Sequence, residues 1–103
     1  MVNIQEQVGE EYYNVVKDIF SIRSKRRELY GDTFNEMPSV GHFWHAFNKL
    51  KRLRYNIEFG NAIPSHKKYE SAKDNAIDVI NYMIFFLIMI EEEHKNKEVK
   101  NGK

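Results

Sequence analysis

Three acidic side chains recur at helical spacing in the second half of the chain. Glu70, Asp74 and Asp78 are separated by four residues each, which places them on one helix face within about two turns. We call this set the acidic stripe. Clustered carboxylates can hold Mg²⁺ or Mn²⁺ against a phosphate group, and they can equally pair with cations of a neighbouring helix. The spacing leaves both interpretations open.

A cationic face is predicted on the preceding helix. His45, Lys49, Arg52 and Asn56 follow one another at spacings of four, three and four residues, so they share a face. Lys49 and Arg52 are the groups that could pair with the acidic stripe. Residues 49–54 form a basic run, Lys-Leu-Lys-Arg-Leu-Arg, that two leucines interrupt. The run is therefore better interpreted as a solvated helix face than as a nucleic-acid-binding motif.

A short segment combines an aromatic ring, a hydroxyl and a carboxylate directly after several arginines. Residues 30–34 have the sequence Tyr-Gly-Asp-Thr-Phe and follow Arg26 and Arg27. Such a set can stack a base, contact a sugar and neutralise phosphate. A glycine at this position is also typical of an ordinary helix C-cap, so a purely structural role is the alternative.

The composition excludes several classes of protein. Of the 103 residues, 42% are hydrophobic and 30% are charged, the net charge is +1, and there is no cysteine. Disulfides, thiolate catalysis and cysteine zinc sites are therefore excluded, as expected for a cytoplasmic protein. His42 and His45 lack the third ligand of a zinc site. The longest apolar run, residues 79–90, is too short for a bilayer, which needs about 20 residues.

These side chains are carried by three predicted helices. Apolar periodicity predicts them over residues 3–30, 40–59 and 67–94, with Ser39 as the N-cap of the second. Breaks fall at residues 31–38 and 60–66, where the glycines and both prolines cluster. We predict an all-α protomer of three long antiparallel helices, with one domain over residues 1–95 and a charged flexible tail over residues 96–103.

The apolar positions also predict assembly. On the second helix a stripe is expected to face the core; it consists of Phe43, Phe47, Leu50, Leu53 and Ile57. On the third helix, Ile80, Met83, Leu87 and Ile90 lie in a half that is apolar nearly all round. Two neighbours from the same chain cannot surround such a helix. We therefore expect a homo-oligomer, assembled as a helical bundle through pairing of third helices.

The order of these motifs resembles a known family. A basic helix end leads to residues 30–34, then to Lys49-x-x-Arg52-Leu53, and then to Glu70-Ser71-x-x-Asp74-x-x-x-Asp78-x-x-x-Tyr82. Over residues 23–91 this resembles the nucleotide-modification-associated domain family, a phage and bacterial group related to the all-α MazG-like nucleotide pyrophosphohydrolases. The resemblance implies a helical oligomer with a nucleotide pocket between helices, in which the acidic stripe contributes to metal binding.

One departure from the family bears on catalysis. MazG-like enzymes pair the acidic helix with a Glu-x-x-Glu motif on the preceding helix, whereas the second helix here has only Glu58. Acids elsewhere would have to substitute; the candidates are Glu10, Glu11, Asp32 and Glu36. We therefore favour a protein that binds or sequesters a nucleotide, including a signalling nucleotide of host defence, without hydrolysis. The alternatives are a Mg²⁺- or Mn²⁺-dependent pyrophosphohydrolase and a structural or protein-interaction bundle.

The predicted ligand site draws on both halves of the chain. A nucleotide or nucleotide-derived small molecule is the expected partner, beside the oligomer contacts; neither a membrane nor nucleic acid is expected. No metal is expected unless the protein is hydrolytic, in which case Glu70, Asp74 and Asp78 would bind it. The predicted ligand-binding residues are Arg26, Tyr30, Asp32, Phe34, His45, Lys49, Arg52, Asp74, Asp78 and Tyr82.

Overall fold

The described part of the chain is almost entirely helical. The computed structural model describes residues 3–58 and 66–101, with side chains described over residues 3–58 and 70–97. The elements in chain order are α1 (Ile4–Val8), α2 (Glu10–Tyr30), a 3-10 helix (Thr33–Glu36), α3 (Ser39–Glu58) and α4 (His66–Asn101). Since no strand occurs within these described ranges, the all-α prediction is confirmed.

The helix ends differ from the predicted ones at three places. The first predicted helix is divided at Gly9, whose φ of 93° lies in the left-handed region that glycine tolerates. The loop predicted after Gly31 contains the 3-10 helix, and α4 continues to Asn101, beyond the predicted end near residue 94. The second predicted loop lies outside the described residues except for His66.

The chain divides into two compact units, Met1–Thr33 and Phe34–Lys103. The first unit contains α1 and α2. Asn3 caps α1 by accepting a hydrogen bond from the Glu6 amide at 2.8 Å, and Ile19 is the buried residue of α2. At its other end, α2 stops at Gly31, whose φ is 67° and whose amide donates to the Arg27 carbonyl at 2.8 Å. Such a glycine cap satisfies a carbonyl at the helix end.

The second unit is an antiparallel hairpin of α3 and α4. Contacts between the two helices run in opposite sequence order. From one end of the hairpin to the other, the contacting pairs are Ser39 with Glu93, His45 with Tyr82, Lys49 with Asp78, and Asn56 with Asn75. Every one of these pairs includes polar side chains. We call this line of contacts the polar seam.

The apolar side chains of α3 do not form the core that the sequence predicts. The buried residues of α3 are His42 and Ala46, whereas Phe43, Leu50 and Ile57 are 41%, 51% and 63% exposed in the single chain. In the single chain, Leu53 is half-buried and the other four positions of the predicted stripe are exposed, so the hairpin alone covers little of the stripe. Periodicity identifies an apolar face, but it does not identify the surface that covers that face.

The same inversion occurs on α4. Its buried residues are Ile77 and Asn81, which are 7% and 6% exposed. The predicted apolar positions stay open in the single chain, and the exposed set includes Ile80, Met83, Leu87 and Ile90. Within the described side chains, the hairpin thus combines polar and aromatic contacts between the helices with many exposed apolar side chains. No helix in the described ranges has an apolar stretch long enough to cross a membrane.

Candidate ligand-binding surface on the hairpin

Two stacked aromatic rings bridge α3 and α4. The His45 imidazole and the Tyr82 ring have centroids 5.0 Å apart and planes inclined by 16°, a separation typical of offset stacking. His45 is exposed, whereas Tyr82 is half-buried. The pair therefore offers a flat aromatic surface at the edge of the polar seam, of the kind on which a planar ligand stacks.

An ion pair lies one turn farther along α3. The Lys49 ammonium is 3.0 Å from an Asp78 carboxylate oxygen, and the two side chains are 26% and 16% exposed. Of the two interpretations of the acidic stripe, pairing with a cation of the neighbouring helix is thus observed for Asp78. Partial burial makes the contact stronger than a typical surface ion pair, because water screens it less. Lys49 and Asp78 are consequently engaged with each other.

Arg52 and Asp74 continue the same surface with open charges. Both side chains are exposed, and neither forms an ion pair with any side chain in the described ranges. The contacts on either side, Lys49 with Asp78 and Asn56 with Ser71, place these two residues near the same height of the hairpin. A guanidinium and a carboxylate are therefore presented to solvent about 10 Å along α3 from His45.

The acidic stripe does not form a converging metal cage. Successive members lie about 6 Å apart along the helix axis, and Asp78 is engaged with Lys49. Within the described side chains, no three His, Asp or Glu residues form a group that could hold a metal ion. The stripe would need an additional acid from elsewhere to bind Mg²⁺ or Mn²⁺.

Three of the predicted residues, Arg26, Tyr30 and Asp32, lie at the end of α2 in the first unit. Asp32 accepts hydrogen bonds from Arg23 at 2.8 Å and, through both carboxylate oxygens, from Arg27 at 3.0 Å. The Arg27 hydrogen bonds, aided by the charge of Arg23, lower the pKa of Asp32 below its ordinary value. Tyr30 is 67% exposed, and Arg26 is exposed as well. Asp32 therefore already has two partners within its own unit.

Phe34 and His42 form an aromatic cluster that the ligand-site prediction only partly includes. The ring of Phe34 stacks on Phe85 with centroids 4.6 Å apart and planes inclined by 7°. His42 is 2% exposed and lies against Phe34, Tyr82 and Phe85. Its Nε2 donates to the Phe34 carbonyl at 3.0 Å. Phe34 is thus packed inside the hairpin unit.

Several structural features of the hairpin could not be predicted from residue spacing. The amide of Asn75 donates to the Asn56 side chain at 2.9 Å, and no spacing rule predicts this pair. Among the buried polar atoms, His42 Nδ1 and Asn81 Nδ2 have no hydrogen-bond partner. His42 and the small residue Ala46 are four residues apart and therefore lie on one face of α3. This spacing is the sequence feature that is consistent with a buried face.

The structure therefore brings together six of the ten predicted ligand residues on one hairpin. They are His45, Lys49, Arg52, Asp74, Asp78 and Tyr82. Phe34 belongs to the aromatic cluster of the same unit, whereas Arg26, Tyr30 and Asp32 belong to the first unit. No protein-family model, curated protein or solved structure matches this chain. The resemblance to the nucleotide-modification-associated domain family stays a prediction.

Proposed function

We propose that the hairpin binds a nucleotide or a nucleotide-derived small molecule without hydrolysing it. The observation that carries the proposal is the stacked His45–Tyr82 pair beside the open guanidinium of Arg52. A protein of this kind would sequester its ligand in the cytoplasm of a bacterial or phage-infected cell, where a signalling nucleotide of host defence is a suitable target. The family resemblance supports the same reading.

The proposed ligand would use three kinds of contact. A base would stack on the His45–Tyr82 rings, a contact worth about 1–3 kcal/mol per base. Arg52 would bind phosphate through a bidentate, charge-assisted pair. The open carboxylate of Asp74 would accept hydrogen bonds from sugar hydroxyls or a base amino group. His45 and Arg52 lie seven residues apart on α3, or about 10 Å along its axis, a span that suits a nucleoside with its phosphates.

Binding without hydrolysis fits the charges better than the metal-dependent alternative. A pyrophosphohydrolase needs several converging carboxylates to hold Mg²⁺ or Mn²⁺. Here Asp78 is paired with Lys49, and the facing helix contributes cations. The hydrolase alternative would require Glu70 and Asp74 to be joined by acids from another part of the assembly.

A structural or protein-interaction bundle is the second candidate function. The Lys49–Asp78 ion pair and the Asn56–Asn75 hydrogen bond favour it, because both contacts hold the hairpin together without a ligand. Many large apolar side chains are also exposed in the single chain; Ile84, Leu87 and Ile88 are 40%, 55% and 38% exposed. We propose on this ground that the protein is a homo-oligomer whose contacts cover part of α4.

Nucleotide binding is tested by thermal shift and calorimetry with a panel of nucleotides and cyclic dinucleotides. Each ligand is measured in chelator and again with Mg²⁺ or Mn²⁺. A specific ligand at 100 times its dissociation constant should stabilise the protein by about 2.7 kcal/mol. Arg52→Ala should weaken binding about 10- to 100-fold, since a hydrogen bond to a charged group is lost, and should reduce the salt sensitivity of binding.

Arg54→Ala is the matched control, because Arg54 lies on another face of α3 and pairs with Glu58 on the surface at 3.0 Å. It should leave affinity within about twofold, since such exposed pairs contribute little. Release of phosphate or pyrophosphate only with metal would establish the hydrolase alternative. If no nucleotide stabilises the wild-type protein, and Lys49→Ala lowers the melting temperature because it breaks the ion pair with Asp78, the interaction-bundle candidate replaces the proposal.

A further inference from the structure

The outer face of α3 carries an ordered aromatic surface. The Phe43 and Trp44 rings meet edge to face at 5.2 Å, Trp44 meets Phe47 edge to face at 5.6 Å, and Phe43 and Phe47 stack at 6.3 Å. The three side chains are 41%, 54% and 39% exposed in the single chain. We call them, together with Val40 and Leu50, the α3 outer surface.

The spacing of this surface is typical of a helix-packing seam. Val40, Phe43, Phe47 and Leu50 follow one another at intervals of three, four and three residues, the pattern by which one helix packs against another. The pattern reads the same in both directions. A second α3 running antiparallel would therefore place Val40 against Leu50 and Phe43 against Phe47, on each side of a two-fold axis near residue 45.

The charges of the hairpin favour the antiparallel arrangement over the parallel one. At the beginning of α3, the carboxylate of Glu93 accepts hydrogen bonds from the amide and hydroxyl of Ser39. Toward its other end, Lys51 lies over the Phe47 ring, 4.9 Å from the centroid. Antiparallel pairing brings the Lys51 end of one copy to the Glu93 end of the other. Parallel pairing would place Lys51 beside Lys51.

The area is consistent with a second copy of this chain. The exposed area of the five side chains of the α3 outer surface is roughly 400 Å². This value assumes about 150–250 Å² for a fully exposed aromatic side chain. That is about half of the ~800 Å² per partner in a standard interface, and the flanking lysine, arginine and glutamate side chains supply more. A patch of this size is comparable to the largest apolar patch of a typical monomer, which often marks an interaction site.

We infer that two copies of this chain pair antiparallel through the α3 outer surface. The inference goes beyond the proposed function and does not depend on it, because His45 and Arg52 are rotated away from the Phe43–Phe47 stripe on the helix. Nucleotide binding can fail while pairing is observed, and the reverse. The expected contact is reversible, because its apolar area is modest.

Trp44 is the single tryptophan of the chain, so its fluorescence reports on this surface directly. Sedimentation equilibrium and the emission maximum are followed together from sub-micromolar to hundreds of micromolar protein, without nucleotide. Association should shift the emission to shorter wavelength along the same curve as the mass. Phe47→Glu should raise the dissociation constant at least about tenfold, with helical content checked by circular dichroism. Association with Trp44 unchanged would assign the contact to another surface and overturn the inference.

Orientation is tested by disulfide trapping, with no background because the chain has no cysteine. Val40→Cys and Leu50→Cys should cross-link to each other when mixed, and neither should cross-link with itself, since a disulfide needs Cα atoms about 4.4–6.8 Å apart. Asn48→Cys, on a different face of α3, is the matched control and should stay uncross-linked. Self-cross-linking of each variant alone would show parallel pairing. A protein that stays monomeric at the highest concentration would show that no second copy covers Trp44. Either result contradicts the inference.

Discussion

Two histidines three residues apart on α3 occupy opposite environments. His42 is 2% exposed, donates to the Phe34 carbonyl and is surrounded by Phe34, Tyr82 and Phe85. His45 is exposed and touches Tyr82 from the solvent side. The same side chain can therefore serve the stability of the hairpin at one position and ligand binding at the other.

Alanine substitution should separate these two roles. His42→Ala removes a buried ring and leaves the Phe34 carbonyl without its donor, so it should lower the free energy of unfolding by about 2–4 kcal/mol. His45→Ala should cost less than about 1 kcal/mol, the value of one exposed aromatic contact, but should weaken nucleotide binding. Chemical denaturation and calorimetry on both variants measure this. Equal losses of stability would contradict the assigned environments.

The sequence predicts which residues share the polar side of α3 better than it predicts the contacts that they form across the polar seam. The helical spacing of His45, Lys49 and Arg52 correctly places them along one side of α3, and the facing Asp78 and Tyr82 meet the first two. The Asn56–Asn75 pair could not be predicted, because asparagine amides follow no periodic rule. Asp32 was a candidate ligand group, but its fork-like contact with Arg27 depends on the turn at Gly31, which spacing does not describe.

At the scale of elements, the start of α3 is capped by a residue far away in sequence. Glu93 on α4 accepts hydrogen bonds from the Ser39 amide at 2.9 Å and from its hydroxyl at 2.6 Å. A carboxylate at a helix N-terminus also interacts favourably with the helix dipole. The contact thus joins the beginning of α3 to the second half of α4, at the opposite end of the hairpin from Asn56 and Asn75.

The capping contact should make the stability of the hairpin depend on pH. The hydrogen bonds from Ser39 lower the pKa of Glu93 below its ordinary value of 4.5. A lowered folded-state pKa means that the contribution is complete above the unfolded-state pKa and is lost as the pH falls through the folded-state value. Glu93→Gln should therefore melt at a lower temperature than wild type near neutral pH, and the difference should shrink in acid.

Glu92→Gln is the matched control for this effect, since Glu92 is exposed and adjacent. Its melting curve should follow that of wild type at every pH. A constant difference between wild type and Glu93→Gln from neutral pH down to acid would show that the carboxylate charge does not contribute to the cap.

The helices themselves could be predicted closely, whereas their packing could not. Apolar periodicity and the Ser39 signal place α3 within about a residue of its observed bounds, which is the usual accuracy of helix ends. The break at Gly9 was missed because a single glycine inside a helical pattern is often tolerated. The exposure of the apolar faces in the single chain could not be predicted, because it depends on which surfaces meet.

At the scale of the whole molecule, apolar side chains lie outside a hairpin whose seam is largely polar. Association of such a chain is favourable, because it buries apolar surface, and this burial is the main driving force of assembly. The exposure of Leu87, 55% in the single chain, makes a sharp test possible. A charge at this position would be harmless to a monomer but costly at an interface.

Leu87→Glu should lower the melting temperature and reduce its dependence on protein concentration. In wild type, the melting temperature should rise with concentration, because association stabilises the folded state by mass action. Glu91→Gln, one turn farther along α4 and already polar, is the control and should behave as wild type. If Leu87→Glu changes stability by no more than about 0.5 kcal/mol, as expected for a surface substitution of a monomer, α4 lies outside any interface.

The polar seam has a consequence for the kind of assembly that can form. If α4 slipped by one turn, Lys49 would still meet an acid, Asp74, but His45 would lose Tyr82 and Ser39 would lose Glu93. The seam therefore admits one register, and every copy displays its outer side chains at the same offset. Identical surfaces related by a two-fold axis close on themselves, whereas displaced ones propagate into filaments. A hairpin fixed in one register by directional contacts thus meets one requirement of a closed assembly, since each copy presents the same surface.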